Sequence, residues 1–371
     1  MKAPSCLSLG VPAKAGLLLL LCFERLLLAQ VTPEQLLLKD YKPRSIFKIP
    51  ETRVEKARYT VIDVHSHDYA PDDAAVERWV QTMNAVGIGK TIILSGASGA
   101  RLDQIMTKFG KQPERFIVWC GIDYTGFDKP GYGPAAVAEL ERCHKAGVVG
   151  VGELSDKGRG LGSTTNTFGM HIDDPRMDLI LDKCAALHMP VNIHVGEDRW
   201  MYEPMDETND GLMNAWKWRI QKGPGVLTHA EVVDSLERAV KKHPGTVFIA
   251  CHLANCCSDL DRLGAMFDRY PNLYGDIGAR YAELSPVPRT VLRFLTRYQD
   301  RVLYGTDMTP NPEMYRETFR LLETDDEHFY LTYFHHYHWP MYAWALPDGV
   351  LKKIYNENAQ RMLSASGTPP R

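Results

Sequence analysis

The 371-residue sequence is poor in the features that settle a protein's class quickly. It has only eight cysteines, and Cys6 and Cys22 fall in the first 30 residues, which excludes a disulfide-dense scaffold. Charge of one sign is missing too: 43 basic against 46 acidic residues leave a formal net charge of −3, with no long Lys or Arg run. That balance gives no support to nucleic-acid or membrane-surface binding. No apolar run is long enough to span a bilayer comfortably, because Glu24 and Arg25 split the leucine-rich stretch near the N-terminus. There is no low-complexity tract, no composition shift marking a second domain and no thiolate-rich cluster suited to a soft metal site. "GASGA" at 96–100 lacks the register of a nucleophile elbow, so Ser98 is a poor nucleophile candidate. Gly147, Gly150 and Gly152 open no phosphate-loop helix and read as close strand packing.

The chain is 44% hydrophobic and 24% charged, enough for a sizeable core. Residues 1–29, with "AGLLLLLCF" and "LLLAQ", read as a signal peptide cleaved after Ala29. Export to the periplasm or outside the cell follows, with a cytoplasmic location if the leader is not one. Residues 30–58 form a polar, proline-containing extension, and 59–371 one domain.

Within that domain a single theme repeats: a short β-branched run, a loop, then an amphipathic stretch. The runs are "YTVIDVHSH", "KTIILSG", "RFIVWCGID", "GVVGVGELS", "MPVNIHVGE", "TVFIACHLA", "NLYGDIGAR" and "RVLYGTDMTP". Helical stretches precede most of them. One carries Val76, Trp79, Val80 and Met83 on one side; another begins with Asp174 as cap and Pro175 at its first position. Eight such units in about 250 residues predict a (β/α)₈ TIM barrel, with a doubly wound open sheet as the alternative. The irregular stretch 196–225 after the fifth strand is an extended loop of the length that usually serves binding.

Polar residues end the apolar runs. Strand alternation places Asp63, His65 and His67 on one face, and later runs end in Glu153, His194, His252 and Asp307. Singly each has an ordinary explanation: a strand histidine hydrogen-bonded within the fold, Glu153 paired with Arg159, Asp307 capping a turn. Together they would crowd unpaired imidazoles and carboxylates into one barrel mouth, which is costly unless a divalent cation compensates them. Such donors favour Zn²⁺, with Fe²⁺ and Mn²⁺ also suited.

"DVHSH", "NIHVG", "ACHLA", "YGTDMTP" and the closing "LKKIYNENAQRML" together resemble the amidohydrolase superfamily, in the branch that includes aminocarboxymuconate-semialdehyde decarboxylase. The resemblance spans about residues 60–364. It implies that His65, His67, His194 and Asp307 bind the catalytic metal, that Asp307 also exchanges a proton with the attacking water, and that His252 orients or polarises water or substrate, or binds a second metal. Glu153 departs from the simplest single-metal members, and "VGELSD" faintly resembles the "GEIG" of TatD-type nucleases, so one ion is favoured with two left open.

On the substrate side, Arg280 is a candidate anchor for a carboxylate or phosphate, with a salt bridge to Asp276 or Glu283 as the alternative. Trp200 and Tyr202 offer an aromatic wall, while Asp206, Asn209 and Asp210 offer polar contacts. Glu197 and Asp198 read as capping or exposed residues, "HHYH" (His335, His336, His338) as a packing loop, and Cys256 and Cys257 as packing residues. The function expected is a metal-dependent hydrolase acting on a small amide, ester or lactone. A metal-dependent non-oxidative decarboxylase is the alternative, and a non-catalytic exported binding protein the third reading. The partner expected is a small molecule, with a homo-oligomer compatible.

Overall fold

The computed structural model describes residues 32–162, 167–331 and 337–366. The leader, His335 and His336 lie outside them. By contacts the chain divides into Met1–Lys42 and Pro43–Arg371. Of the first unit, the described residues form a turn and one short 3₁₀ helix, Leu38–Asp40, all exposed. Residues 43–58, read from sequence as part of the extension, belong to the second unit, where the Thr52 amide and hydroxyl both donate to Asp326 at 2.7 Å and the Ala57 amide donates to Val86 O at 2.9 Å.

The second unit alternates strands and helices throughout. In order these are β1 (Val61–Ser66), α1 (Asp73–Val86), β2 (Ile88–Leu94), α2 (Gly99–Phe109), β3 (Phe116–Trp119), α3 (Tyr132–Lys145), β4 (Val151–Asp156), α4 (Asp178–Ala186), β5 (Val191–Val195), α5 (Leu212–Trp218), α6 (His229–Lys242), β6 (Phe248–Ala250), α7 (Leu260–Arg269), β7 (Leu273–Asp276), α8 (Tyr281–Leu284), α9 (Pro288–Arg297), β8 (Val302–Leu303) and α10 (Pro312–Glu323). Helices α11 (Asp348–Lys352) and α12 (Asn358–Ala365) close the chain. Every expected run overlaps a strand. The helix expected to start at Pro175 begins instead with a 3₁₀ turn, Pro175–Met177, and Asp174 accepts from the Arg176 amide.

The strands pair in parallel as β1-β2-β3 and β4-β5-β6-β7-β8. An isolated parallel bridge, Cys120–Val151, and a few backbone hydrogen bonds rather than full ladders join the two sets. At one seam Gly152 N donates to Cys120 O at 2.7 Å, and Gly150 lies so close to Trp119 that a Cβ would sit 2.3 Å from the indole, so only glycine fits there. At the other, Val64 N donates to Tyr304 O (3.0 Å) and Asp307 N to His65 O (2.7 Å). This is a (β/α)₈ barrel whose short strands leave both seams thin. Its inner cluster gathers Ile62, Val64, Ile92, Leu94, Trp119, Ile249 and Leu303 with Ala359, Met362 and Leu363 of α12. A larger apolar layer packs between strands and helices.

Strict alternation fails on β1. Ile62 and Val64 belong to the inner cluster, while Asp63 accepts from Thr306 Oγ1 at 2.7 Å and from Thr306 N at 3.0 Å, beside Tyr315 of α10. The β1–β2 register shifts between Asp63 and Ser66, and that irregularity turns His65 back to the inside. Asp63 therefore does not share a face with His65. It pins β8's continuation to β1, and burial pushes its carboxyl up to about 7.

Candidate metal centre and its cavity

The residues that end the strands converge at one end of the barrel. His65 is fully buried: its Nδ1 lies 3.0 Å from Asp276 Oδ2, and its Nε2 has no hydrogen-bond partner among the described residues. Glu153 Oε1 and Asp307 Oδ1 each lie 3.7 Å from that orphaned nitrogen. His67 anchors Nδ1 on Leu94 O (2.9 Å) and turns Nε2 to Asp307 Oδ1 at 2.9 Å. His194 Nδ1 lies 3.0 Å from Glu153 Oε1 and 3.2 Å from His252 Nε2, while its Nε2 meets Gly196 O at 2.8 Å. His252 holds Nδ1 on Gly278 O (2.6 Å), which leaves Nε2 facing the cluster. The donor atoms of His65, His252 and Asp307 lie within 4.8 Å of one another, as do those of His65, His67 and Glu153 and those of Glu153, His194 and His252.

His252 is not on a strand as its sequence context suggested. β6 stops at Ala250, and Cys251–Asn255 forms a tight 3₁₀-like turn in which His252, Leu253 and Ala254 have φ of 57°, 52° and 55°. A left-handed conformation costs a non-glycine residue about 1–2 kcal/mol. The turn is held nonetheless, because Asn255 Nδ2 donates to Val195 O (2.9 Å) and Asp276 Oδ1 accepts from His252 N (3.2 Å). Asp307 is likewise left-handed, at φ 52°.

Electrostatics test whether these residues fit a divalent ion. Burial opposes charge on His65, yet Asp276, Asp307 and Glu153 raise its pKa to about 10; His194 rises to about 9 against burial through Glu153 and Glu197. Burial also disfavours ionised Asp307 and Glu153, but the surrounding imidazoles hold both carboxyls below their usual range. Burial pushes His252 down, with Arg280 and His194 adding to it. Without an ion, the carboxylates are thus balanced by protons on buried imidazoles. One divalent cation replaces those protons and satisfies His65 Nε2, so the donor set fits.

The cluster opens into a cavity of about 910 Å³, near the upper end of the range for small-molecule sites. Arg280 lines it, as do Lys157, Lys217, Met201, Trp218 and Tyr337. Arg280 is buried, donates through Nε to Asn255 Oδ1 at 2.9 Å, and pairs with Glu197 (3.5 Å) and Glu283 (3.7 Å) rather than with Asp276. Glu197 and Asp198 are buried rather than exposed, and Glu197 also pairs with Lys157. Trp200 and Tyr202 do not line the cavity. Trp200 packs on Trp339 (5.7 Å between ring centroids) and Tyr202 on His229 (5.5 Å), because the 3₁₀ turn Arg199–Tyr202 directs Met201 inward instead. Asp206, Asn209 and Asp210 do not line it either; Asn209 ties the loop to itself through Trp200 O and Pro204 O. Cys256 and Cys257 are buried and unbridged, and His338 packs beside Trp339.

A parallel barrel with imidazoles and carboxylates gathered around a buried, unpartnered nitrogen defines a class, the metal-dependent barrel enzymes. A family profile described as Amidohydrolase matches residues 55–364, and the chain belongs to that family as an enzyme of the amidohydrolase superfamily. No curated protein matches the sequence. Among solved structures, an uncharacterised TIM-barrel protein from Bordetella bronchiseptica superposes with a TM-score of 0.56 at 17% identity, over 83% of this chain and 99% of its own. The 2,6-dihydroxybenzoate decarboxylase from Rhizobium gives 0.51 at 17% identity, over 82% and 99%. The 5-carboxyvanillate decarboxylase from Novosphingobium aromaticivorans, complexed with manganese and a nitrobenzoic acid, gives 0.50 at 16% identity, over 84% and 99%. At such identities the likeness is one of fold. Among the described residues no helix is long and apolar enough to cross a membrane.

Proposed function

We propose that this protein is a metal-dependent enzyme acting on a small anionic carbonyl or carboxylic compound, with His65, His67, His194 and Asp307 as metal ligands. The observation that carries the reading is the pairing, in one cavity, of the histidine–carboxylate cluster with three cationic side chains, Lys157, Lys217 and Arg280. Glu153 lies within reach of the same donors, so a second ion remains part of the reading. Zinc and manganese both suit this donor set.

A bound divalent ion supplies a Lewis acid that polarises a substrate oxygen. Asp307, kept ionised by its imidazole neighbours, accepts and returns a proton at Oδ1 or Oδ2. His252, its Nδ1–H donated to Gly278 O and its ring kept neutral by burial, turns the Nε2 lone pair into the cluster, where it accepts a hydrogen bond or proton from water or substrate. Arg280 is fixed by Asn255, Glu197 and Glu283, and Lys157 by Glu197, so a substrate acid competes with Glu197 for both, while Lys217, exposed at the mouth, attracts it.

Two reactions fit. Loss of CO₂ from an aromatic or unsaturated acid is favoured by the cavity cations and by the named activities of two fold relatives. Hydrolysis of an acidic amide, ester or lactone is the second, supported by Asp307, an ionised carboxylate in the cluster that would serve as the proton acceptor. Metal analysis of the purified protein, followed by CO₂ release against amide or lactone cleavage over both substrate panels, separates them. His67→Ala and Asp307→Ala are expected to abolish turnover while keeping the fold by circular dichroism. Wild-type turnover in either removes that residue from the mechanism, and no stoichiometric metal after reconstitution overturns the proposal.

A further inference from the structure

We infer that Asp276 is the positioning residue that commits His65 to present Nε2 to the ion, and thereby sets the affinity of the centre; the inference rests on the metal reading above. An ionised carboxylate can only accept hydrogen bonds, so the 3.0 Å contact of Asp276 Oδ2 requires the proton on His65 Nδ1. In the neutral ring that a metal would bind, the lone pair is then on Nε2, the buried nitrogen that has no hydrogen-bond partner among the described residues.

Asp276 is itself immobilised. It is fully buried, its Oδ1 accepts from Gly278 N (2.9 Å) and His252 N (3.2 Å), and Asn192 Nδ2 donates to Oδ2 at 3.4 Å. One carboxylate at the end of β7 thus orients the imidazole of β1 and braces the left-handed turn that carries His252. Partners of this kind fix tautomer and ring orientation in metal sites.

The competing reading makes His65, Asp276 and Cys251 a metal site of their own, since their donor atoms also lie within 4.8 Å of one another. Their hydrogen bonds argue against it. The Cys251 thiol donates to Asn192 Oδ1 at 2.8 Å, and both Asp276 oxygens are already engaged. An ion there would break this closed network and would need the Nδ1 lone pair, leaving Nε2 orphaned.

Asp276→Asn preserves shape and the acceptor for the two backbone amides but presents no second acceptor to Nδ1–H. In competition with a chromogenic chelator, using Zn²⁺ and Mn²⁺ alone as probes, the variant is expected to bind about 10–100-fold more weakly than wild type. The visible spectrum of the Co²⁺-loaded protein should change with it, a readout that a general loss of stability does not mimic. Cys251→Ala should keep wild-type stoichiometry and affinity. Independently of any variant, ¹⁵N NMR of the Zn²⁺-loaded wild type should show His65 protonated at Nδ1 and ligated through Nε2. Unchanged affinity in Asp276→Asn, loss of an ion in Cys251→Ala, or ligation through Nδ1 overturns the positioning role while leaving a metal enzyme in place. A wild-type protein that binds neither probe overturns the metal reading itself.

Discussion

Gly305 follows β8 and passes so close to His65 that its substitution tests the whole arrangement of the centre. A Cβ at this position would lie 2.7 Å from His65 Cβ and 3.5 Å from Asp276 Cβ and Cγ. Carbon atoms pack best at about 3.5–4.0 Å, so in Gly305→Ala either β8 or His65 must retreat by about 1 Å. Neither moves freely: His65 O accepts from Thr306 N at 3.2 Å and Asp307 N at 2.7 Å, and its ring is held by Asp276. Overpacking of a filled core costs about 1–3 kcal/mol. At about 2 °C per kcal/mol for a chain of this size, that predicts a fall in Tm of about 2–6 °C. Metal affinity should fall as well, because a site tolerates displacement of its ligands by only about 0.5 Å. Differential scanning calorimetry of the metal-free protein reads the first effect and chelator competition the second. Gly349→Ala is the control: Gly349 sits exposed in α11, and a Cβ added there would meet nothing within 4 Å, so alanine should stabilise by about 0.5–1 kcal/mol. A Gly305→Ala protein with unchanged Tm and affinity refutes the close passage of β8 over His65.

Three other outcomes are expected. Arg280→Met leaves Glu197 and Glu283 with a buried partner removed and should cost about 3–5 kcal/mol in urea unfolding; a loss below about 1 kcal/mol would mean that Lys157, paired with Glu197, and the Tyr337 hydroxyl, which donates to Glu283, suffice. Lys217, exposed and lying over Trp218 at 5.0 Å, should tolerate alanine within about 0.5 kcal/mol of stability, while KM for an acid substrate rises and kcat stays; an unchanged KM removes it from the binding surface. Burial opposes ionisation of Asp326, yet Thr52 and Arg320 hold its carboxyl below the usual value. Its stabilising contribution is therefore complete above the unfolded pKa of about 3.9 and lost as pH falls through the lower folded value. The Tm gap between wild type and Asp326→Asn should close below about pH 4, and a gap independent of pH refutes the ionised role.

What could be read from the sequence and what could not divide along the range of the interactions involved. β-Branched runs such as "KTIILSG" declare strands because their signal is local, and the histidines stand out because each ends such a run. The facing of Asp63 was hidden, since a register shift on β1 depends on its pairing with β2 and not on its own residues. So was the role of Asp276, whose partner His65 lies 211 residues away; in "YGDIGAR" it offered only a nearby arginine. The turn at His252 carries no glycine to announce its left-handed backbone, and it survives because contacts from β5 and β7 offset its strain. The loop after β5 stood out by its length, but which of its side chains face inward depended on its internal turns: Trp200 and Tyr202 pack away, and Trp218 and Met201 line the cavity. The residue types gathered at the candidate centre are therefore legible in this barrel because strand chemistry is local, whereas the atoms that orient them come from other strands. Asp276 and Gly305, remote from His65 in the chain, decide where its free nitrogen points, and substitutions at those two positions probe the centre more sharply than changes in the loop that surrounds it.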